Sequence, residues 1–160
     1  MRILVLSDSH GDIKSLNSVI ERHQDISEIF FLGDLTKDII AVKEQFKNKN
    51  YYIVSGNCDF SSPFPSSQIK TIENTRIFFC HGHRYGVKYT LESIKATARE
   101  NNCALVLFGH THCSLTAYDN GLYIVNPGSL SSPRDGKKSY AIIDITKNGI
   151  VPSIMKITPD

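Results

Sequence analysis

The chain of 160 residues is 41% hydrophobic and 21% charged, a composition typical of one globular domain spanning residues 1–160. Its 18 Lys and Arg residues against 16 Asp and Glu residues leave a net charge of only +2, so we expect no specific nucleic-acid binding. No apolar run approaches the roughly 20 residues that cross a bilayer. The apolar amino-terminal stretch ends at Ser7, too early for a signal peptide, so we expect a cytoplasmic protein without membrane association.

Short apolar runs alternate with amphipathic segments over residues 1–110. The runs predict strands at residues 3–6, 29–32, 51–54, 77–80 and 105–108. Asp12 and Thr36 are placed to cap two helices, and a third helix follows later in the chain. Apolar residues three or four apart mark the buried faces of these helices: Ile13, Leu16 and Ile20; Ile39, Val42 and Phe46; Leu91, Ile94 and Ala98. This alternation predicts a sheet of parallel strands joined by helices.

The pattern changes after residue 112. Strands are predicted at residues 114–118, 122–125, 140–145 and 150–157, with Asn-Gly turns at 120–121 and 148–149 that are typical of tight hairpins. The carboxy-terminal third is therefore predicted to be a mainly antiparallel sheet packed against the first. The predicted fold class is α/β, with two face-to-face sheets flanked by helices.

Polar side chains directly follow each of the first five predicted strands. Because the carboxyl ends of parallel neighbours share one edge of a sheet, where such sheets bind ligands, we expect these side chains to meet. Of the six histidines, only His23 lies outside the group. The group consists of Asp8, His10, Asp34, Asn57, Asp59, His81, His83, His110 and His112.

Crowded imidazoles and carboxylates predict a metal site, because without a cation their polar groups would be poorly paired. The donors are too many for one tetrahedral ion but suffice for two divalent ions, about 3.5–4 Å apart, that share a carboxylate. Nitrogen and oxygen donors suit Mn, Co, Ni, Fe or Zn, and we expect Mn.

The sequence also leads to expectations for residues that are not predicted metal ligands. His83 either faces the substrate or hydrogen-bonds a neighbour, and Asp59 is expected to orient a ligand histidine by hydrogen bonding. His23 is expected on the surface, and residues 126–129 form a turn that could also buttress the site.

The chain has no CxxC pair, so reduced thiols are expected. Packing roles are predicted for Cys58, Cys80 and Cys113.

Taken in order, the motifs resemble those of the calcineurin-like metallophosphoesterases, whose series is DxH, GD, GNx[DE], HGH or GH, and GHxH. Here they stand at residues 8–10, 33–34, 56–59, 81–83 and 109–112, and Asn126-Pro127-Gly128-Ser129 extends the match. The short chain and this last motif look most like the small cap-less prokaryotic phosphodiesterase branch, to which the retromer scaffold subunit is related. The resemblance implies a four-layer αββα sandwich of two mixed sheets flanked by helices.

The resemblance also implies a ligand set. One metal would take Asp8, His10 and His112, the other would take Asn57, His81 and His110, and Asp34 would bridge them. A metal-bridging hydroxide would then attack phosphorus in line with the leaving oxygen of a small phosphodiester, with Asn57 also contacting phosphate and no covalent phospho-enzyme.

Cys58 stands where many larger phosphatases of this family have a histidine. The proton for the leaving group would then come from His83, from solvent or from no acid at all. Such a site suits activated diesters better than alkyl monoesters.

Other readings remain open from sequence. A catalytically weak interaction scaffold of the same fold is the main alternative, although every ligand is present. An amidohydrolase is disfavoured because Arg84-Tyr85 follows His83 where Asp-His is expected and because its barrel needs about 250 residues. A non-specific nuclease is also open, since it would be the same type of enzyme with a nucleic acid as its phosphodiester substrate. The oligomeric state is open as well.

Overall fold

Residues 1–158 are described by a computed structural model, and their strands form two five-stranded sheets. Sheet A contains β1 (Arg2–Leu6), β2 (Glu28–Phe31), β3 (Asn50–Ile53), β9 (Ser139–Thr146) and β10 (Gly149–Lys156). Sheet B contains β4 (Ser67–Ile72), β5 (Thr75–Cys80), β6 (Leu105–Leu107), β7 (Ser114–Asp119) and β8 (Leu122–Pro127). The spatial orders are β10-β9-β1-β2-β3 and β4-β5-β6-β8-β7. Each sheet has both parallel and antiparallel pairs, so both are mixed.

Three helices flank the sheets within the described residues: α1 (Ile13–Arg22), α2 (Thr36–Lys43) and α3 (Glu92–Glu100). Apolar residues of α1 and α2 pack on the outer face of sheet A, and those of α3 pack on the outer face of sheet B. The longest helix among residues 1–158 has ten residues, about half the length that crosses a bilayer.

Side-chain alternation along the strands produces the four layers. On β1, Ile3 and Val5 face the core between the sheets, whereas Leu4 and Leu6 face the helices outside sheet A. The inner core is completed by apolar residues from both sheets, among them Phe30, Ile77, Phe79, Leu107 and Ile143. The predicted αββα sandwich is therefore confirmed, as are the two Asn-Gly hairpins, which join β7 to β8 and β9 to β10.

The predicted division of strands between the sheets was wrong. We expected the first five predicted strands to be neighbours, but β5 and β6 lie in sheet B, where β6 pairs in parallel with β8. Conversely, β9 and β10 belong to sheet A, with β9 antiparallel to β1. The physical reason lies in β9, whose residues from Ser139 to Ile143 are buried on both faces and therefore suit the interior of a covered sheet.

Two local predictions also needed correction. Strand β4 was not predicted, because it is a half-exposed edge strand in which only Ile69 and Ile72 are apolar. Thr36 was predicted as a helix cap, but it is the first residue of α2, whose N-cap is Leu35. Its hydroxyl instead donates a hydrogen bond to Asp59, and Phe46 lies beyond the end of α2.

The sandwich brings the carboxyl ends of strands from both sheets to one end. In sheet A, the backbone N–H of Asp8 donates to Gly33 O at 3.0 Å, and in sheet B that of Gly109 donates to His81 O at 2.9 Å. The sheets are joined where the His81 ring Nδ1 lies 2.7 Å from Leu32 O. The loops after β1, β2, β3, β5 and β6 therefore border one site.

Candidate metal centre

The polar side chains at these strand ends meet across the two sheets. Asp8 Oδ1 lies 3.0 Å from His112 Nε2, and Asp34 Oδ2 lies 3.3 Å from His81 Nε2. His10 Nε2 lies 3.3 Å from His112 Nε2. The structure therefore brings these predicted residues together, even though the sequence analysis assigned the strands to the wrong sheets.

Three overlapping groups in the cluster have ligand atoms within 4.8 Å of one another: Asp8 with His10 and His112; Asp8 with Asp34 and His81; His10 with Asp34 and Cys58. The first group is the set expected for one metal. For the other expected set, Asn57 Oδ1 lies 3.2 Å from His81 Nε2, and the His110 and His81 ring centroids are 5.1 Å apart. His110 belongs to none of the three groups.

The hydrogen bonds of two histidines test whether this cluster fits a cation. The Nδ1 atoms of His81 and His112 lie 2.7 and 2.8 Å from backbone carbonyl oxygens, so each Nδ1 carries the donated proton. In the neutral ring, each Nε2 then points a lone pair at carboxylate oxygens. Asp8 Oδ1 is buried and has no hydrogen-bond partner within residues 1–158, although three imidazole nitrogens lie within 4.0 Å of it. Nitrogen and oxygen lone pairs converging on one buried point fit a divalent cation.

The electrostatics of the cluster agree with this fit. Burial of Asp8 opposes ionisation, yet the contacts with His10 and His112 hold the pKa of its carboxyl below the ordinary value. Burial lowers the pKa of His110 to about 4, so this ring is neutral near pH 7. A buried ionised carboxylate beside a neutral imidazole is the protonation state that metal ligation requires.

Five of the predicted ligands have left-handed backbone conformations. The φ values are 55° for Asp8, 41° for His10, 50° for Asp34, 68° for His110 and 58° for His112. Such conformations cost free energy for residues other than glycine and collect at functional sites, where surrounding structure holds them. Backbone strain is therefore present at five residues of the cluster.

Two of the motif glycines leave space for the carboxylates. A Cβ on Gly56 would lie 2.0 Å from Asp34 Oδ1, and a Cβ on Gly109 would lie 2.8 Å from Asp8 Oδ2. Close approach, rather than a sharp turn, therefore requires glycine at these two positions.

Asp59 has a different partner from the one predicted. Its carboxylate accepts hydrogen bonds from the backbone N–H groups of Asp34, Thr36 and Gly56, at 2.9, 2.6 and 2.7 Å. The expectation that it orients a ligand histidine was wrong, since it holds the loop of Asp34 against the loop of Asn57.

Asp38 performs a similar task but was missed from sequence. It is buried on α2 and accepts hydrogen bonds from the hydroxyl of Ser9 and the backbone N–H of Gly11, both at 2.7 Å. It thereby fixes the loop of Asp8 and His10. Its position in the first turn of a helix is also typical of an acidic residue that interacts only with the helix dipole, so the sequence pattern did not single it out.

Residues 126–129 buttress the site, as the turn motif allowed. The Asn126 amide donates to Gly109 O and to the Thr111 hydroxyl, both at 3.0 Å. The hydroxyl of Ser129 donates to Asp8 O at 2.9 Å. Residues 126–129 therefore hold the loop after β6 and the loop after β1 in place.

His83 lies beside the cluster, in a single 3₁₀ turn (His83–Tyr85). Its ring centroid is 5.4 Å from that of His81, and burial lowers the pKa of its imidazole. Its Nδ1 is buried and has no hydrogen-bond partner in the described part of the chain. His83 is thus placed next to the cluster with an unused polar atom.

The cysteines and His23 differ in part from what the sequence predicted. All four cysteines are free thiols in the described chain, and Cys80 is buried as expected. Cys58 does more than pack, because it lies in the cluster with His10 and Asp34, where burial and the charge of Asp34 raise its pKa to about 11. His23 is half-buried rather than on the surface, with its Nε2 2.8 Å from the Tyr140 hydroxyl.

One surface cleft adjoins the cluster. This cleft, of about 320 Å³, includes Cys58 and Asp59 in its lining. A larger one, of about 540 Å³, lies between α1 and residues 133–138 and includes none of the predicted metal ligands.

A four-layer αββα sandwich with carboxylate, amide and imidazole donors at its strand ends defines the metallophosphoesterase class. The chain belongs to the calcineurin-like phosphoesterase superfamily, because a family model described as the calcineurin-like phosphoesterase superfamily domain matches residues 1–148. This family depends on divalent metal, in agreement with the donor groups of the cluster.

The chain is similar in sequence to several named proteins. The chain is 31% identical over 147 residues to the probable metallophosphoesterase YsnB of Bacillus subtilis, covering 91% of this chain and 85% of that protein. It is 25% identical over 169 residues to the phosphodiesterase YfcE of Escherichia coli, covering 90% and 88%. It is also 32% identical over 132 residues to the vacuolar protein sorting-associated protein 29 of Schizosaccharomyces pombe, covering 75% and 69%.

A solved structure supports the fold. The crystal structure of a conserved uncharacterized protein from Streptococcus pneumoniae, predicted to be a phosphoesterase, superposes with a TM-score of 0.83 at 25% identity. The match covers 97% of this chain and 88% of that one.

Proposed function

We propose that this protein is a binuclear metal-dependent phosphodiesterase and that residues 1–160 form its single catalytic domain. The observation that carries the proposal is Asp8 Oδ1, a buried carboxylate oxygen without a hydrogen-bond partner in residues 1–158 and with imidazole nitrogens of His10, His81 and His112 within 4.0 Å. Leaving such a group unpaired is costly, and a bound cation removes the cost.

The proposed ligands divide between two ions. Asp8, His10 and His112 would hold one ion, Asn57, His81 and His110 would hold the other, and Asp34 would be shared by both. Support comes from the 3.7 and 3.3 Å distances that separate Asp34 Oδ2 from the Nε2 atoms of His10 and His81, which belong to the two sets. We expect Mn, with Co, Ni, Fe or Zn as other candidates for this donor set.

Two divalent cations at this position would supply charge neutralisation for phosphate oxygens and a water-derived nucleophile near neutral pH. The side chains around them bind and orient the substrate. Asn57 is exposed at the rim, so its amide can contact a phosphate oxygen. His83 presents the unused Nδ1 described above and is proposed to contact the substrate.

A phosphodiester is the proposed substrate, and two observations support it. Cys58 lies in the cluster at the position where many larger phosphatases of this family have a histidine, so no imidazole stands there to protonate a leaving group. Such a site favours diesters with good leaving groups over alkyl monoesters. YfcE, named a phosphodiesterase, aligns over 90% of this chain.

The test compares stripped and reloaded protein. After chelation, Mn or Co is added back, and hydrolysis of bis-p-nitrophenyl phosphate and p-nitrophenyl phosphate is measured. We expect no turnover of the diester without metal, restored turnover with metal, and a higher kcat/KM for the diester than for the monoester. Equal diester turnover by stripped and reloaded protein would contradict the metal-dependent mechanism.

A binding scaffold is the second candidate, favoured by the relative named for vacuolar protein sorting. Elemental analysis and the same assay separate the two functions. A protein that binds metal but hydrolyses neither ester would favour the scaffold.

A further inference from the structure

A cleft of about 320 Å³ with both apolar and polar residues in its lining opens beside the proposed metal centre. Its volume is at the lower end of the range typical of small-ligand pockets, about 300–1,000 Å³. Leu35, Ile40, Phe60 and Pro63 supply its apolar lining, and Lys37 adds a positive charge. The cleft is therefore suited to the uncharged part of a ligand whose charged part lies elsewhere.

Cys58 connects the cleft with the metal cluster. It lines the cleft, and its Sγ lies within 4.8 Å of a carboxylate oxygen of Asp34 and a ring nitrogen of His10. Its backbone N–H also donates to Asp34 Oδ1 at 2.9 Å, so its position relative to the cluster is fixed. A phosphoryl group held at the cluster would thus have one ester substituent next to the cleft.

Two apolar side chains at this cleft are exposed. Phe60 is 90% exposed and Ile40 is 42% exposed. Single exposed apolar residues are common, but apolar side chains grouped around a cleft mark binding sites. The aromatic ring of Phe60 provides a flat face on which a planar ring can stack.

The polar residues of the cleft do not provide an alternative anion site. Asp59 also lines the cleft, and its carboxylate is already used by backbone N–H groups of Asp34, Thr36 and Gly56. Lys37 is the one cation among the residues that line the cleft, and the Thr36 hydroxyl already donates to Asp59 and lies 3.3 Å from the Ser62 hydroxyl. The lining therefore favours an uncharged ring over a second phosphate.

We propose that this cleft is a specificity subsite that binds a planar aromatic ester group of the phosphodiester, with Phe60 as its stacking platform. The proposal rests on the proposed function, because the cluster must hold the phosphoryl group. An aryl group and a nucleobase share the required chemistry, and the ligands used in the test distinguish them.

The first experiment measures binding of non-hydrolysable ligands to the full chain loaded with Mn, by calorimetry. Methylphosphonate and phenylphosphonate present the same phosphonate to the metals and differ in the ring, and the 5′-phosphonate analogue of adenosine 5′-monophosphate, with carbon in place of the ester oxygen, adds a nucleobase. We expect a ring-bearing ligand to bind at least about 5-fold more tightly than methylphosphonate, since stacking on an aromatic side chain changes affinity by about 5- to 150-fold. Phe60→Ala should remove that preference and leave methylphosphonate binding unchanged.

Tyr118→Ala is the matched control, because Tyr118 is 63% exposed but lies on β7 at the edge of sheet B and is not among the residues lining the cleft. It should retain the full preference for the ring. A preference that survives in Phe60→Ala, or is lost equally in Tyr118→Ala, overturns the subsite.

A second experiment reports on the position of the ring directly. The chain contains no tryptophan, so Phe60→Trp introduces a single fluorescent reporter. Its emission should change saturably with the preferred ring-bearing ligand and not with methylphosphonate, whereas Tyr118→Trp should show no saturable change.

The two proposals fail in different ways. If methylphosphonate binds only the metal-loaded protein but the ring adds no affinity, the subsite is wrong and phosphoryl binding at the cluster stands. If no phosphonate binds the loaded protein, the proposed function is wrong and the subsite falls with it.

Discussion

The carboxylate of Asp38 on α2 accepts a 2.7 Å hydrogen bond from the backbone N–H of Gly11, in the loop that presents Asp8 and His10. The same carboxylate accepts from Ser9 Oγ, which also lies 3.4 Å from Asp34 O. One buried side chain outside the ligand set thus connects the loops that carry three of the proposed ligands. We expect the proposed metal centre to depend on this support, because its candidate ligand residues have strained backbone conformations.

We predict that Asp38→Asn weakens Mn binding by about 10- to 100-fold, the range typical of residues that orient metal ligands. The amide cannot accept both hydrogen bonds as strongly as the carboxylate, so the loop of Asp8 loosens. Calorimetric titration with Mn measures the effect, alongside thermal unfolding of the metal-free protein. Asp25→Asn is the control, because Asp25 has a side chain that is 69% exposed. Mn affinities within twofold of each other in the two variants would contradict the role of Asp38.

Asp34→Asn and His83→Gln should separate metal binding from substrate contact. Asp34→Asn is expected to lower bound metal and to reduce kcat by more than about 100-fold, because a proposed bridging ligand is lost. His83→Gln should keep both metals while lowering kcat/KM for the diester. Metal content by elemental analysis and steady-state kinetics measure the two effects, with His23→Ala expected to stay close to wild-type activity. Similar activities for Asp34→Asn and His23→Ala would exclude the bridging role.

Lys49 is expected to contribute to stability rather than to activity. Its buried ammonium donates hydrogen bonds to the carbonyl oxygens of His23, Gln24 and Ile26, at 3.2, 3.2 and 2.6 Å, just after α1. Lys49→Met should lower the free energy of unfolding by about 1–3 kcal/mol, because it leaves these carbonyls without their donor. Urea denaturation measures the change. Lys47→Met, at a side chain that is 77% exposed, should change stability by less than about 0.5 kcal/mol.

The half-buried His23 predicts a pH dependence of stability. Burial lowers the pKa of its imidazole below the ordinary value, so the folded protein keeps this ring neutral. The unfolded chain takes up a proton near pH 6.5. The contribution of His23 is therefore complete above about pH 6.5 and is lost as the pH falls through that value. Urea denaturation at pH 7.5 and pH 5.5 should show a larger loss for the wild type than for His23→Gln. Parallel losses in both proteins would show that His23 does not contribute.

The candidate ligands could be recognised from sequence because each directly follows an apolar strand. A buried strand ends where polar residues begin, and this pattern is local, so Asp8, Asp34 and His110 were identified without knowledge of the sheets. The roles of Asp38 and Asp59 could not be predicted in the same way. Their hydrogen-bond partners lie 23 to 29 residues away for most of the contacts, and the side-chain type alone does not specify a backbone N–H as the partner.

The residues themselves determined the four layers, since two-residue alternation in strands and three- and four-residue spacing in helices decide which faces are apolar. Only the tertiary structure decided that β5 and β6 join β8 while β9 joins β1, because strands with similar apolar faces can pair in several orders. Tertiary packing also decided that Cys58 and Phe60 line one cleft beside Asp34, since the path of the loop after β3 depends on the hydrogen bonds of Asp59.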